Sequence, residues 1–220
     1  YGGIAAVPNQ LASRLKTTTV HLNTRVENVT ATTVDANGET MPFDRVVLAV
    51  PQHVAQEVFS PLDGTHKPVE RLTSTVAFVT KTPPYSEGRL LLNEEWGQHG
   101  NDVLHVHLPT NVHPHPAGEH WVVATLVGAP ATSPDVESVR HELRKWFGES
   151  VSNWKHLATT TVRYALPHID PTHHERFMSE IEIEGVLLAG DHRAHPSVQG
   201  TLRSAERILE HLKIPIPKEV

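Results

Sequence analysis

The spacing of apolar residues changes character twice along the chain, and each stretch predicts different elements. Near the start, Leu11 and Leu15 recur four apart behind Pro8, which a first helical turn accepts because its N–H would be unpaired there, so a short amphipathic helix is expected. After Lys16 the pattern becomes strand-like. Val20 and Leu22, then Val26 and Val29, then Val34 alternate with polar residues, and Asn37-Gly38 marks a hairpin before Glu39 to Phe43. Val46-Val47-Leu48-Ala49-Val50 is a continuous apolar run, too short for a typical helix and expected to be a strand buried on both faces. Pro51 ends it, and Gln52 to Phe59 is expected to be helical.

From about Leu72 to Pro167 short strand-like runs are separated by turns rich in Pro and Gly: Thr75 to Thr80, Arg89 to Leu92, Val103 to Leu108, Trp121 to Val127 and Thr159 to Tyr164. They predict an antiparallel sheet. One helix interrupts them, with Ser133 as its expected N-cap, Pro134 in the first turn and Val136, Val139, Leu143 and Phe147 on one face. The last stretch resumes the alternation of buried strand and amphipathic helix seen at the start. Gly185 to Ala189 reads as a buried strand, Gly190-Asp191 follows, and a helix begins near Ser197 with Leu202, Ala205, Ile208, Leu209 and Leu212 on one stripe. The fold class is therefore α/β (α+β). Segments 1–71 and 168–220 form one discontinuous Rossmann-like unit, and 72–167 is inserted as a second domain with an antiparallel sheet and one helix. A ligand cleft is expected between two such domains.

Composition removes several classes of function. At 220 residues the chain can bury a real core; 38% hydrophobic residues, 20% charged residues and a net charge of -6 describe an ordinary, mildly acidic protein with no basic face for nucleic acid. Zero cysteines exclude disulfides, thiolate metal centres and thiol nucleophiles, so redox chemistry requires a bound cofactor. No apolar stretch is long enough to span a bilayer, and Tyr1-Gly2-Gly3-Ile4 is no signal peptide; a cytoplasmic location is expected. A start at Tyr1 rather than Met is expected of a trimmed, processed or partial chain.

Candidate chemistry concentrates where the final strand delivers Gly190-Asp191 and a helix begins at Ser197. A carboxylate at a strand's carboxyl end and the unpaired N–H groups of a helix N-terminus face the same crevice, which makes a site for a polar ligand. The helix end offers partial positive charge to an electron-rich group, and Gly200 lets another surface approach the backbone closely. Spacing alone also accommodates a plainer reading, in which Asp191 caps a turn and Gly200 serves packing.

The string from Gly185 to Arg207 resembles the C-terminal flavin motif of the flavin amine oxidase, protoporphyrinogen oxidase and phytoene desaturase superfamily: an apolar strand, a Gly-Asp pair, and a helix carrying Gly, Ser and Glu-Arg. The start resembles the family's internal Gly-Gly segment, through Gly2-Gly3-Ile4, Pro8, Leu11, Leu15 and Val26. Asp44 to Pro51 is similar to the strand that passes under the cofactor, and Val162-Arg163-Tyr164-Ala165-Leu166-Pro167 to the strand leading back from the substrate domain. The resemblance implies a FAD-binding domain in 1–71 and 168–220 and a substrate domain in 72–167. It also implies a FAD contact set of Val26, Ala49, Pro51, Gly190, Asp191, Ser197, Val198, Gln199 and Gly200, with Val26 at the adenine, Asp191 at the ribityl or pyrophosphate region and the Val198 to Gly200 backbone at the isoalloxazine. The chain has no G-x-G-x-x-G, so the resemblance implies the C-terminal half of such an enzyme, expected to hold FAD poorly without an N-terminal segment in the same or a separate chain. Amine oxidases of the family often carry a Lys where this chain has a residue near Thr75, and Lys81 lies too far along; a desaturase-like or oxidase-like reaction on an apolar or mixed small molecule is expected instead.

Histidine is the remaining compositional anomaly, at 17 residues. His105 and His107 share one face if they lie in a strand, with His113 and His115 after a turn, yet no Asp or Glu completes a site and no metal is expected. His192 and Tyr164 are the candidate catalytic residues, although His192 and His195 also read as exposed loop residues. Arg193 and Arg203 could contact phosphate or a carboxylate, or simply be solvated, and Trp154 reads as core. No Gly-x-Ser-x-Gly suggests a hydrolase. A hydride-transferring flavoprotein half is the first reading; a non-catalytic remnant or interaction module that kept the fold without FAD is the alternative, and a His-rich metal protein a third.

Overall fold

The computed structural model describes residues 3–62, 71–168 and 180–215; Tyr1 and Gly2 of the opening segment, and 169–179 of the last stretch, fall outside them. In chain order the regular elements are α1 (Ala6–Ser13), β1 (Val26–Val29), β2 (Thr33–Ala36), β3 (Glu39–Pro42), β4 (Val46–Leu48), α2 (Gln52–Val58), β5 (Thr73–Thr80), β6 (Leu90–Leu92), β7 (Val103–His107) and β8 (His120–Val127). They continue with α3 (Val136–Phe147), β9 (Lys155–Val162), β10 (Glu182–Ile183), β11 (Val186–Leu188) and α4 (Val198–His211). The architecture is mixed α/β with antiparallel sheets, and the chain divides into two compact units.

One unit comprises Val7–Val69 and Leu166–Val220. Its small sheet has the order β10-β11-β4, in which β11 runs parallel to β4, with Val186 opposite Val46 and Leu188 opposite Leu48. Val46, Leu48, Val186 and Leu188 pack with Val29, Ala55, Val58 and Phe59, joining this sheet to α2 and to the antiparallel meander β1-β2-β3. On β11's other face Leu187 packs with Ile208 of α4, so β11 is buried throughout. Its neighbour β4 departs from the expectation of burial on both faces: Val47 is 45% exposed, because the α4 contact covers β11 and not this strand. The meander turns at Asn37-Gly38, both at positive φ (53° and 77°), as a two-residue hairpin of this twist requires. Val20 and Leu22, expected in a strand, lie outside regular structure: β2 pairs with β1 only as far as Val26 opposite Ala36, leaving earlier residues no ladder partner.

The other unit comprises Tyr1–Ala6 and Glu70–Ala165 and is built on an antiparallel sheet of order β6-β7-β8-β5-β9. Val76, Phe78, Val106, Val122, Ala124 and Leu126 face α3, which supplies Val139 and Leu143, and Trp154 closes this core as expected. Strand β9 starts at Lys155 rather than near Thr159, since β5 offers it a partner over nearly its whole length. The N-cap of α3 is Asp135 and not Ser133: its carboxylate accepts the N–H groups of Glu137 and Ser138, two unpaired donors that one hydroxyl at residue 133 could not reach.

Candidate functional site

Strands β4 and β11 end side by side, and the candidate site grows from those carboxyl ends. The N–H of Ala189 donates to the carbonyl of Leu48 (2.9 Å), continuing the parallel ladder one step beyond the strands. Gly190 follows at φ 143°; a Cβ there would come within 2.6 Å of the His192 ring and 3.7 Å of the Val50 carbonyl, so the turn closes only around a residue without a side chain. Its N–H donates to the Ser204 hydroxyl at 2.9 Å, and that hydroxyl donates to the Thr201 carbonyl at 2.7 Å. Ser204 thereby ties the Gly-Asp turn to α4. Its role was not read from the sequence, although its position four residues after Gly200 places it on the same helix face.

Asp191 is half-buried at the end of β11. Burial pushes its carboxyl above the usual range, partly countered by the N–H of His192. The first turn of α4 is capped by Ser197, whose hydroxyl accepts the Gly200 N–H (3.0 Å). The N–H groups of Val198 and Gln199, both on exposed residues, have no acceptor among the described residues, which leaves the partial positive charge of the helix end available to a ligand. Gly200 faces inward: a Cβ on it would stand 1.8 Å from the His195 carbonyl oxygen, so the surface it admits is the chain's own loop.

Val26 and Ala49 line one cleft of about 660 Å³, together with Val29, Val46, Val50 and Val54. Pro51 is not among its lining residues; its carbonyl accepts the N–H groups of Val54 and Ala55 and starts α2. All nine sequence-derived residues belong to one compact unit, but of them only Val26 and Ala49 line this cleft; Pro51 and the Gly190 to Gly200 residues do not.

The reading of His192 as an exposed loop residue is overturned. It is 5% exposed, its Nδ1 has no hydrogen-bond partner among the described residues, and burial lowers its pKa to about 4, so the imidazole is neutral at pH 7. His195 does lie at the surface, sharing a hydrogen bond with Ser197 (2.7 Å). Arg193 is buried too, 3.8 Å from Glu180, which excludes the solvated reading; Arg203 is exposed and held by Glu206 and Glu210 of its own helix. Tyr164 belongs to the other unit, two residues beyond β9, and is 37% exposed. Among the described residues no group of three or more His, Asp or Glu is placed to hold a metal ion.

A protein family described as flavin containing amine oxidoreductase matches the chain over residues 1–208. The chain belongs to that family. FAD is the family's cofactor. No protein of curated function matches the chain in sequence. Solved structures share its fold at low identity. Reduced UDP-galactopyranose mutase superposes with a TM-score of 0.71 at 13% identity, over 99% of this chain and 53% of its own. An oxidoreductase from Methanosarcina mazei gives 0.67 at 13%, over 85% and 49%, and the CLA-producing fatty acid isomerase from P. acnes 0.66 at 12%, over 94% and 51%. The chain spans about half the length of these structures. Among the described residues no helix is long and apolar enough to cross a membrane.

The residues fit a flavin on their own chemistry. A turn that only glycine closes brings a desolvated carboxylate to the end of a parallel strand pair, and two unengaged N–H groups stand at the following helix end. Hydroxyl-rich and electron-rich parts of one ligand need such an acceptor and such donors.

Proposed function

We propose that this chain is the C-terminal half of a FAD-dependent oxidoreductase of the desaturase or oxidase type, acting on a small, apolar or mixed molecule. In this reading 1–71 and 168–220 hold the cofactor, 72–167 receives the substrate, and an N-terminal segment in the same or a separate chain completes the nucleotide site. FAD, when bound, supplies the chemistry: it accepts a hydride from a substrate C–H.

Each residue then has a separate task. Asp191 accepts hydrogen bonds from hydroxyls of the ribityl region, and its partly desolvated setting strengthens them. The N–H groups of Val198 and Gln199 would donate to an electron-rich edge of the bound cofactor. Val26 and Ala49 form the apolar floor of the adenine end, beside the Pro51 turn. His192, neutral and with no partner at Nδ1 among the described residues, stays uncharged beneath the turn and positions the Gly190-Asp191 backbone rather than moving a proton in solution. Tyr164 is kept as the candidate on the substrate side. The cysteine-free, mildly acidic composition supports a cytoplasmic setting.

The observation that carries this reading is the joint placement of Asp191 and the unengaged α4 N-terminus, one loop apart, at the ends of parallel strands. The test is FAD retention after co-expression with a segment bearing a dinucleotide fingerprint. Stoichiometric flavin absorbance in the purified pair, reduced at least tenfold by Asp191→Ala, is expected from the loss of a charged acceptor. Retention unchanged by Asp191→Ala removes that residue from the site. Absence of flavin in the pair favours the alternative of a non-catalytic module that kept the fold.

A further inference from the structure

The five-stranded sheet ends in two unlike edges. Strand β6 has three residues, too few to offer another chain a ladder. At the opposite edge β9 runs for eight, Lys155–Val162, and all of them are exposed. Its inner side pairs with β5, from Val162 opposite Thr73 to Lys155 opposite Val79. In such a ladder alternate residues turn their N–H and C=O groups outward, and among the described residues no backbone group of 155–162 has a hydrogen-bond partner other than β5. Edges are commonly blunted by charge or proline, yet β9 has no proline and, apart from His156, its one charged side chain is Lys155 at the first position. The bulge at Leu157 lies near that same end, so Ala158 to Val162 pairs with β5 without a break.

That unbroken run, Ala158-Thr159-Thr160-Thr161-Val162, is nearly the same read in either direction about Thr160. Laid end for end beside a copy of itself, with the two Thr160 residues opposite, it sets Thr159 against Thr161 and Ala158 against Val162. The faces agree as well. The hydroxyls of Thr161 and Ser74 meet at 2.7 Å, and Ser74 donates to the Ala131 carbonyl at 2.6 Å, so Thr161 points to the α3 side and Ala158, Thr160 and Val162 point away from it. Cross-strand threonine pairs stabilise a ladder, and like charges directly opposite destabilise it. In this register Lys155 falls opposite Ala165 and Arg163 opposite Leu157, so no cation meets another. Moving the axis one residue, to Thr159, would set Lys155 against Arg163.

We infer that β9 is the docking edge for a second copy of this chain, paired antiparallel about Thr160 so that the two sheets become one continuous sheet. The outward N–H and C=O groups of each copy satisfy those of the other, and Val162, 46% exposed, comes to lie against Ala158 of the second copy. The same edge is used on both sides of a two-fold axis, so the assembly closes at two copies and does not propagate. Nothing in it draws on the oxidoreductase reading.

The chain contains no cysteine, so a single introduced thiol reports which residues meet. In the full 220-residue chain, Thr160→Cys is expected to form an intermolecular disulfide under mild oxidation, because residues directly opposite in an antiparallel pair have Cα atoms about 4.5–5.5 Å apart, within disulfide reach. Lys155→Cys puts its two thiols about 34 Å apart, at opposite ends of the shared ladder, and should stay uncross-linked. Sedimentation of the parent should show a dimer. Thr160→Lys, which sets like charges opposite, should weaken it at least tenfold, and mixing that variant with Thr160→Glu should restore it, which also shows that both are folded. A monomeric parent, a Thr160→Cys chain that does not cross-link, cross-linking at 155 as efficient as at 160, or no recovery in the mixture each overturns the inference. No flavin takes part in these measurements, so they are read independently of FAD retention.

Discussion

The carbonyl oxygen of His195 occupies the place where a side chain on Gly200 would begin, 1.8 Å from an ideal Cβ. The loop that carries Asp191 is thereby pressed onto the first turn of α4, and the glycine is what allows it.

Replacing Gly200 by Ala sets two effects against each other. Helix propensity favours Ala by about 1 kcal/mol, whereas forcing a methyl against backbone costs about 1–3 kcal/mol, and a carbonyl cannot swing aside as a flexible side chain would. A net loss of up to about 2 kcal/mol is expected in urea denaturation. Gln199→Ala, exposed in the same turn, should stay within about 0.5 kcal/mol of the parent.

His192 links stability to pH. Its folded pKa, about 4, lies below the ordinary 6.5, so the unfolded chain binds the extra proton and stability is lost as pH falls through that interval. Between about pH 7.5 and about pH 5 the loss from this group should be about 2 kcal/mol. His192→Leu should flatten that part of the profile; an unchanged slope would show that the imidazole is hydrated in solution.

Glu142 sits 3% exposed on the buried side of α3, three residues after Val139. Its carboxylate accepts the N–H groups of Asp102 (2.8 Å) and Val103 (3.1 Å) and the side-chain amide of Asn93 (3.1 Å). Glu142→Ala leaves these donors unpaired and should cost about 3 kcal/mol in chemical denaturation; Glu142→Gln, which keeps one acceptor, should cost less. Burial raises the carboxyl's pKa from 4.5, so the folded state holds the proton more tightly and the group's contribution falls as pH climbs from that value to the raised one. Glu142→Gln should lack this slope.

Arg140 ties the residues after α3 back to the helix. Its guanidinium donates to the carbonyls of Val151 (2.9 Å) and Trp154 (2.7 Å) and lies 5.0 Å from the centre of the Phe78 ring. Lysine keeps the charge but loses the separate Nε–H that donates to Glu137 (3.1 Å) and the planar group beside Phe78, so Arg140→Lys should cost about 2 kcal/mol and lower the melting temperature by several degrees in calorimetry.

Much of this protein is written locally. The Asn37-Gly38 hairpin, the apolar run ahead of Gly190-Asp191, the Ser197 cap and the stripe ending at Ile208 follow from backbone preference and periodicity, which depend on near neighbours alone. The order of motifs was enough to suggest the family. Other features depend on partners far away in sequence. Whether Val20 extends a strand, whether Val47 is covered, whether His192 is exposed, and whether β9 has an outer neighbour are settled by ladder length, by the reach of α4 and by the order of the strands. Burial and register are properties of the packed chain, so the free edge of β9 exists only once the sheet has formed.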